Sequence, residues 1–102
     1  MRIYRVAKDY EPIKIFDPYT IAILLALRNG SKNISRTNLA ASKYAEMTIA
    51  TTIRKLKQLE DFGLVKSSAA RKVAGVEERI YTLTDKGKKI IDAIAEALGI
   101  QE

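Results

Sequence analysis

The sequence predicts a mainly α-helical fold with one small β-hairpin (α+β). Asp17–Pro18 is a strong helix start, because aspartate caps a helix and proline suits its first position. Thr48–Phe62 carries apolar residues at helical spacing, and Gly63 then favours the left-handed conformation that ends a helix. Two further segments, Leu64–Ser68 and Val76–Leu83, are predicted to be the strands of the hairpin.

Length and composition fit one globular domain with a modest core. The chain has 102 residues, of which 47% are hydrophobic and 29% are charged. Its longest apolar run, Ile21–Leu27, is far shorter than the ~20 residues of a membrane span. The opening MRIYRVAKDY lacks the apolar core of a secretory signal. We therefore expect an intracellular, cytoplasmic protein with no membrane partner.

Several kinds of chemistry are excluded by residues that the chain lacks. Cysteine and histidine are both absent, which rules out disulfides, thiolate chemistry, zinc fingers and imidazole bases. The five glycines are scattered, and no two acidic residues share an apolar setting that would raise a pKa. The sequence therefore predicts no enzyme, no catalytic residue, no metal site and no cofactor.

Positive charge is concentrated in the middle of the chain. The net charge is +6, and residues 35–75 hold eight basic and three acidic groups. Residues 76–102 hold four basic and six acidic groups. A basic middle is typical of a surface that binds a polyanion, although a solvated lysine-rich surface is a common alternative. Charge alone favours nucleic acid only slightly.

The first part of the chain is predicted to supply an arm and two helices. Residues 1–16 form an N-terminal arm or short strand. The helix that follows is apolar on nearly every side and ends near Asn29–Gly30, which predicts a core helix. Ser35 is expected to cap a short helix whose Leu39 and Ala40 face inward.

The long helix within Thr48–Phe62 is predicted to have one buried and one polar side. Thr48 is the first choice for its cap, and Ser42 is an alternative that would begin the helix earlier. The apolar residues at helical spacing predict a core-facing side formed by Ile49, Ile53, Leu56 and Leu59. The opposite side carries groups that hydrogen-bond to phosphates and base edges, namely Thr48, Thr51, Arg54, Lys55 and Gln58. A purely structural alternative pairs Arg54 with Glu46 or Asp61.

The end of the chain is predicted to form a hairpin and a last helix. A linker over Ala69–Gly75 carries Arg71 and Lys72 at the tip of the hairpin. Thr84 then caps a helix over Asp85–Leu98, which ends at Gly99. The apolar stripe of this helix could pack on its own domain, but it exceeds what a small core needs. We therefore favour a dimer interface made by Ile90, Ile91, Ile94 and Leu98.

Two motifs at this separation carry a specific resemblance. They are Leu56-x-x-Leu59-x-x-x-Gly63-Leu64-Val65 and Tyr81-x-Leu83-Thr84-x-x-Gly87. The chain resembles the winged helix-turn-helix regulators over about Asp17–Leu98, most closely the small MarR- and PadR-type repressors and the short winged-helix regulators of archaea and their viruses. It departs from them in a longer SKYAEM turn and in Thr52, which stands where the family usually has an aliphatic residue.

The resemblance implies a winged helix-turn-helix domain over residues 17–83 and a dimerisation helix over residues 84–102. The long helix would enter the major groove, where its N-terminal half reads bases and its remaining polar groups reach the backbone. The preceding helix start would bind a phosphate, and the hairpin tip would lie in or beside the minor groove. The implied DNA-binding residues are Ser35, Arg36, Thr37, Thr48, Thr51, Arg54, Lys55, Gln58, Arg71 and Lys72.

The leading hypothesis is a homodimeric, sequence-specific regulator of transcription that binds double-stranded DNA in the nucleoid and acts as a repressor. One alternative is a non-specific architectural DNA-binding protein. Another is a winged helix that binds protein, for which exposed aliphatic residues on the helix or wing would be the sign. A small-molecule effector is left open, because a pocket could be lined by Tyr4, Tyr10, Phe16 and Tyr19. Aromatic residues near a helix start more often belong to the hydrophobic core.

Overall fold

A computed structural model describes residues 16–100, leaving out the side chains of Ala70, Arg71, Val73, Val76 and Glu77. The predicted arm or strand of residues 1–16 lies, apart from Phe16, outside the described residues. The elements in chain order are α1 (Pro18–Arg28), α2 (Ile34–Ala41), α3 (Ile49–Asp61), β1 (Val65–Val73), β2 (Val76–Leu83) and α4 (Asp85–Leu98). This α+β architecture is the predicted fold class.

Helix α1 lies in the middle of the fold, as predicted. The Asp17 carboxylate accepts a hydrogen bond from the Thr20 backbone N–H (2.8 Å), and Pro18 occupies the first turn. Every residue from Ala22 to Leu27 is buried. Helices α2, α3 and α4 and strand β2 all contact α1, so this helix positions the other elements around one core.

Helix α2 begins earlier than predicted. Asn33, and not Ser35, is its N-cap, and the Asn33 side chain accepts a hydrogen bond from the Arg36 backbone N–H (2.8 Å). With this start, Thr37 and Ala41 form the buried side. Leu39 lies two residues from each, about half a turn away, and is therefore 71% exposed. The prediction that Leu39 faces inward is wrong.

The hairpin is longer and its turn tighter than predicted. Strand β1 continues to Val73, and Ala74 (φ 52°) and Gly75 (φ 80°) alone make the turn. Positive φ at both central residues is the backbone of the two-residue turns that fit twisted strands. Arg71 and Lys72 consequently lie in β1 and not in a linker, opposite Glu78 and Glu77 of β2.

The two motifs of the sequence meet each other in the fold. The Thr84 hydroxyl donates to the Gly63 carbonyl (2.7 Å), and the Thr84 N–H donates to the Leu64 carbonyl (3.1 Å). Thr84 also caps α4 by accepting from the Gly87 N–H (3.0 Å). A Cβ on Gly87 would lie 2.0 Å from the Leu64 carbonyl oxygen, so glycine is required for this close approach. The motifs therefore specify one joint between α3, β1 and α4.

The predicted stripe of α4 divides between the core and the surface. Ile91 and Ala95 are fully buried, because this row packs on α1. Ile90 and Ile94 are partly buried against the core. Leu98 is 61% exposed. Ile91 is thus a core residue of the protomer and not part of an accessible stripe.

Candidate nucleic-acid interface

The buried side of α3 differs from the predicted one by a rotation of the helix. Thr52, Leu56 and Leu59 are fully buried, whereas Ile49 and Ile53 are 44% and 46% exposed. The prediction that both isoleucines face the core is wrong. Thr52 tolerates burial because its hydroxyl donates to the Thr48 carbonyl (3.1 Å) and accepts from the Asn38 side-chain amide (3.0 Å).

A row of side chains on the opposite side of α3 faces solvent. Ala50, Ile53, Arg54 and Lys57 are all exposed and follow the i, i+3, i+4, i+7 spacing of one helix face. We call these four residues the exposed α3 stripe. Among the residues that the structure describes, neither Arg54 nor Lys57 has an ion-pair partner, so the alternative pairing of Arg54 with Glu46 or Asp61 does not form.

The two predicted threonines at the start of α3 bond to each other. Thr48 is the N-cap, as predicted, and its hydroxyl accepts from the Thr51 N–H (3.1 Å). The same hydroxyl lies 3.1 Å from the Thr51 hydroxyl, to which it donates. Thr48 is exposed and Thr51 is half-buried. Their hydroxyls thus hold the first turn of the helix beside the exposed α3 stripe.

Lys55 was predicted on the polar side but anchors α3 to α1. Its ammonium forms an ion pair with Asp17, and its side chain is only 12% exposed. Burial raises the pKa of Asp17, but hydrogen bonds from Lys55 and Thr20 outweigh it and hold that pKa below its ordinary value. Because Asp17 also caps α1, one carboxylate fixes the start of α1 against the middle of α3.

The predicted phosphate-binding residues of α2 separate into accessible and buried groups. Ser35 and Arg36 are exposed in the first turn, where backbone N–H groups favour anions. Thr37 is fully buried, and its hydroxyl donates to the Asn33 carbonyl (2.7 Å). Thr37 therefore holds the helix start and offers no accessible hydroxyl.

The wing is tied to the end of α3 by a chain of hydrogen bonds. The Arg79 guanidinium donates to the Ser67 hydroxyl (2.7 Å), which donates to the Glu60 carboxylate (2.8 Å). Lys72 is exposed near the tip of the hairpin. The side chain of Arg71, also predicted to contact DNA, lies outside those described. The Glu60–Ser67–Arg79 connection thus links the wing to the helix that carries the exposed α3 stripe.

Sequence reasoning therefore found part of the accessible surface and missed another part. Arg54 of α3 is exposed as predicted, whereas Lys55 is paired with Asp17 and Gln58 is half-buried. Ala50, Ile53 and Lys57 were not predicted there. The helical spacing of Ala50, Arg54 and Lys57 was visible in the sequence. Assigning these residues to the exposed side of α3 would have required the knowledge that Thr52 is buried.

Other kinds of site find no support in the described part of the chain. Of the four aromatic residues considered for an effector pocket, Phe16 packs against the core and Tyr19 is 40% exposed. Tyr4 and Tyr10 lie outside the described residues, so the structure does not test this possibility. Between residues 16 and 100, no group of three or more metal-ligating side chains occurs. Within the same range no helix combines the length and apolarity needed to cross a membrane.

A profile of the HxlR-like helix-turn-helix family matches residues 15–99, most of the chain. This chain belongs to that family. The matched range includes the capped helices, the hairpin and the joint between the two motifs. No curated protein matches the sequence.

Solved structures of transcription regulators share the fold. Bacillus subtilis PadR, in a complex with operator DNA, has a TM-score of 0.66 and 24% identity over 74% of this chain and 45% of its own. Diamide-treated YodB of Bacillus subtilis has a TM-score of 0.70 and 19% identity over 90% of this chain and 87% of its own. A MarR family regulator of Silicibacter pomeroyi has a TM-score of 0.67 and 25% identity over 94% of this chain and 60% of its own.

These similarities agree with the predicted winged helix-turn-helix fold and with the resemblance to MarR- and PadR-type proteins. This chain spans slightly less than half of the length of the PadR chain that it matches. Membership of the HxlR-like helix-turn-helix family supports a DNA-binding transcriptional regulator. The solved structures support the fold.

Proposed function

We propose that this protein is a homodimeric, sequence-specific repressor that occludes a promoter by inserting α3 into the major groove. The observation that carries the proposal is the exposed α3 stripe, on which Arg54 and Lys57 have no ion-pair partner among the described residues. A cation that is exposed and without an ion-pair partner is available to phosphates and base edges. Occlusion needs no catalytic residue.

The surrounding surface supports the same orientation. Ser35 and Arg36 would contact a phosphate at the start of α2, and Lys72 would reach the backbone or the minor groove from the wing. We keep Arg71 in this role on the sequence alone. Lys55 and Thr37 are instead assigned to positioning α3 and α2. Lys55 forms an ion pair with Asp17, and the Thr37 hydroxyl donates to the Asn33 carbonyl.

Dimerisation is proposed on the accessible part of α4. Leu98 lies beside an apolar groove of about 310 Å³ lined also by Ile21, Leu25 and Tyr44. Ile90 and Ile94 lie on the same helix and are only partly buried. A second copy would cover this apolar surface and place two α3 helices on one DNA duplex, as two-fold regulators do.

Selection of bound sequences from a random duplex pool at about 150 mM salt tests the function, because this salt suppresses weak phosphate binding. We expect a palindromic motif with half-sites about ten base pairs apart. Recovery of DNA without a motif would instead favour an architectural protein. The absence of any recovered DNA would exclude the proposed repressor.

The dimer is tested separately by Leu98→Asp, with Leu39→Asp as the matched control. Both leucines are well exposed in the protomer, so neither substitution introduces a buried charge there. Sedimentation should show monomers for Leu98→Asp and dimers for the wild type and Leu39→Asp. Dimers of normal affinity in all three proteins would place the interface elsewhere.

One observation favours a second candidate, a winged helix that binds protein. Exposed aliphatic residues were the sign expected for that function, and Ile49 and Ile53 are such residues. Arg54 and Lys57 on the same face argue for a polyanion instead. The DNA selection distinguishes the two, because a protein-binding module would recover no specific duplex.

A further inference from the structure

Two isoleucines near the start of α3 are exposed, although the same helix buries other aliphatic side chains. Ile49 and Ile53 keep 44% and 46% of their surface accessible, although Leu56 and Leu59 of the same helix are fully buried. They stand four residues apart, so their side chains are neighbours on the helix surface. Exposing such apolar area to water is unfavourable, which makes a contact that covers both side chains favourable.

The charges around the pair identify what would cover it. Ile53 belongs to the exposed α3 stripe, directly before Arg54 and four residues before Lys57. An apolar protein surface placed there would desolvate both cations without neutralising them, which is costly. A DNA duplex offers phosphates and base acceptors to the cations and, in the major groove, one apolar group, the C5-methyl of thymine.

We propose that Ile49 and Ile53 recognise thymine methyl groups in each operator half-site. The inference rests on the proposed function and adds a base preference to it. Four residues of helix span about 6 Å along the axis, and stacked base pairs are about 3.4 Å apart. The two side chains therefore reach thymines within about two base-pair steps of each other. Ala50, small and exposed beside them, permits the close approach of α3 to the groove.

The test replaces individual thymines of the selected operator by deoxyuridine. Uracil keeps the pairing edge and the O4 acceptor of thymine and lacks only the methyl group. At one or two positions per half-site, we expect the wild-type protein to bind uracil about fourfold more weakly, the loss of one buried methyl contact. Binding is measured by fluorescence anisotropy on the full chain.

Variants assign the methyl dependence to the isoleucines. Ile49→Ala and Ile53→Ala should each bind the thymine operator more weakly and lose the preference for thymine over uracil at one position. Arg54→Ala is the matched control, because it should weaken binding yet keep the thymine-to-uracil ratio of the wild type. Thermal melting checks folding, which exposed Ile→Ala changes should leave nearly unaltered.

Three results would overturn the inference. Equal wild-type affinity for thymine and uracil at every position would exclude methyl recognition while leaving the proposed repressor intact. An unchanged ratio in both Ile→Ala variants would assign the methyl contact to other residues. A protein that selects no operator at all would remove the inference together with the proposed function.

Discussion

The two halves of α3 solve the same packing problem in opposite ways. In the C-terminal half, Leu56 and Leu59 are buried and Lys57 is exposed, as amphipathic patterning predicts. In the N-terminal half, Thr52 is buried and Ile53 is exposed. Hydrophobicity therefore decides the inner face in one half, and hydrogen-bond geometry decides it in the other.

Neighbouring elements explain the difference. The N-terminal half lies against Asn38 of α2, whose side-chain amide donates to the Thr52 hydroxyl and to the Met47 carbonyl (both 3.0 Å). A valine or isoleucine facing Asn38 would leave an amide N–H without its acceptor. The C-terminal half lies against the apolar core, which contains Leu25 and Ile91. In the N-terminal half the polar contact with Asn38 thus places Thr52 on the inner side of the helix, and Ile49 and Ile53 lie on the outer side.

The largest expected effect separates the two halves directly. Leu56→Ala should lower the free energy of unfolding by about 3 kcal/mol, because it leaves a cavity in the core. Ile53→Ala should change it by less than about 0.5 kcal/mol, because the side chain is nearly half exposed. Urea unfolding of both variants measures the two values. Comparable losses would mean that Ile53 is buried in solution.

A smaller effect is expected at the contact that holds α3 against α1. Asp17→Ala removes both the cap of α1 and the partner of Lys55, and should cost about 2 kcal/mol. Asp17→Asn is the matched control, since asparagine also caps helices. It should lose only the part that depends on charge.

The pH dependence follows from the lowered pKa of Asp17. A folded-state pKa below the unfolded value of about 3.9 stabilises the protein above that pH, and the contribution is lost as the pH falls further. Chemical unfolding between pH 6 and pH 2 should show this loss in the wild type and a shallower decline in Asp17→Asn. Parallel curves would show that the ion pair contributes nothing measurable.

Local signals made most of the fold predictable from the sequence. Asp17, Thr48 and Thr84 cap helices where predicted, and Gly63 and Gly99 end helices with positive φ. Each of these signals acts within a few residues. Contacts across the chain were not predictable in this way, and the ion pair of Lys55 with Asp17, 38 residues apart, is one of them.

The candidate site was harder to predict because the α3 pattern admits two registers. Leu56 and Leu59 share a helix face with Ile53 and Ile49, and equally with Thr52. Residue type favours the isoleucines, and only Asn38, on another helix, reverses the choice. Relative to the predicted register, α3 is rotated so that Ile53 is exposed and Lys55 forms an ion pair with Asp17. The wrong predictions for these two residues therefore have one cause.

Two substitutions sharpen the distinction between the exposed α3 stripe and the wing. Arg54→Ala should weaken operator binding by about 1.5 kcal/mol and relax the preference at one base pair. Lys72→Ala should weaken binding to all duplexes about equally and lower the salt slope by about one. Titrations of operator and random DNA at several salt concentrations measure both. A uniform loss for Arg54→Ala would confine that residue to phosphate contact.

The smallest expected effect tests whether Thr52 is buried for its hydroxyl or despite it. Thr52→Val keeps the shape and supplies the aliphatic residue usual in similar regulators, but removes the acceptor of the Asn38 amide and the donor to the Thr48 carbonyl. We expect a loss of about 1 kcal/mol in urea unfolding, since an unsatisfied buried donor costs more than a methyl group gains. Thr51→Val is the control, because it removes only an acceptor of the exposed Thr48 hydroxyl, for which water can substitute. A more stable Thr52→Val protein would mean that the polar contact lowers the stability of the fold. Its role would then be to select which face of α3 is buried, whereas Leu56 and Leu59 stabilise that face by hydrophobic burial.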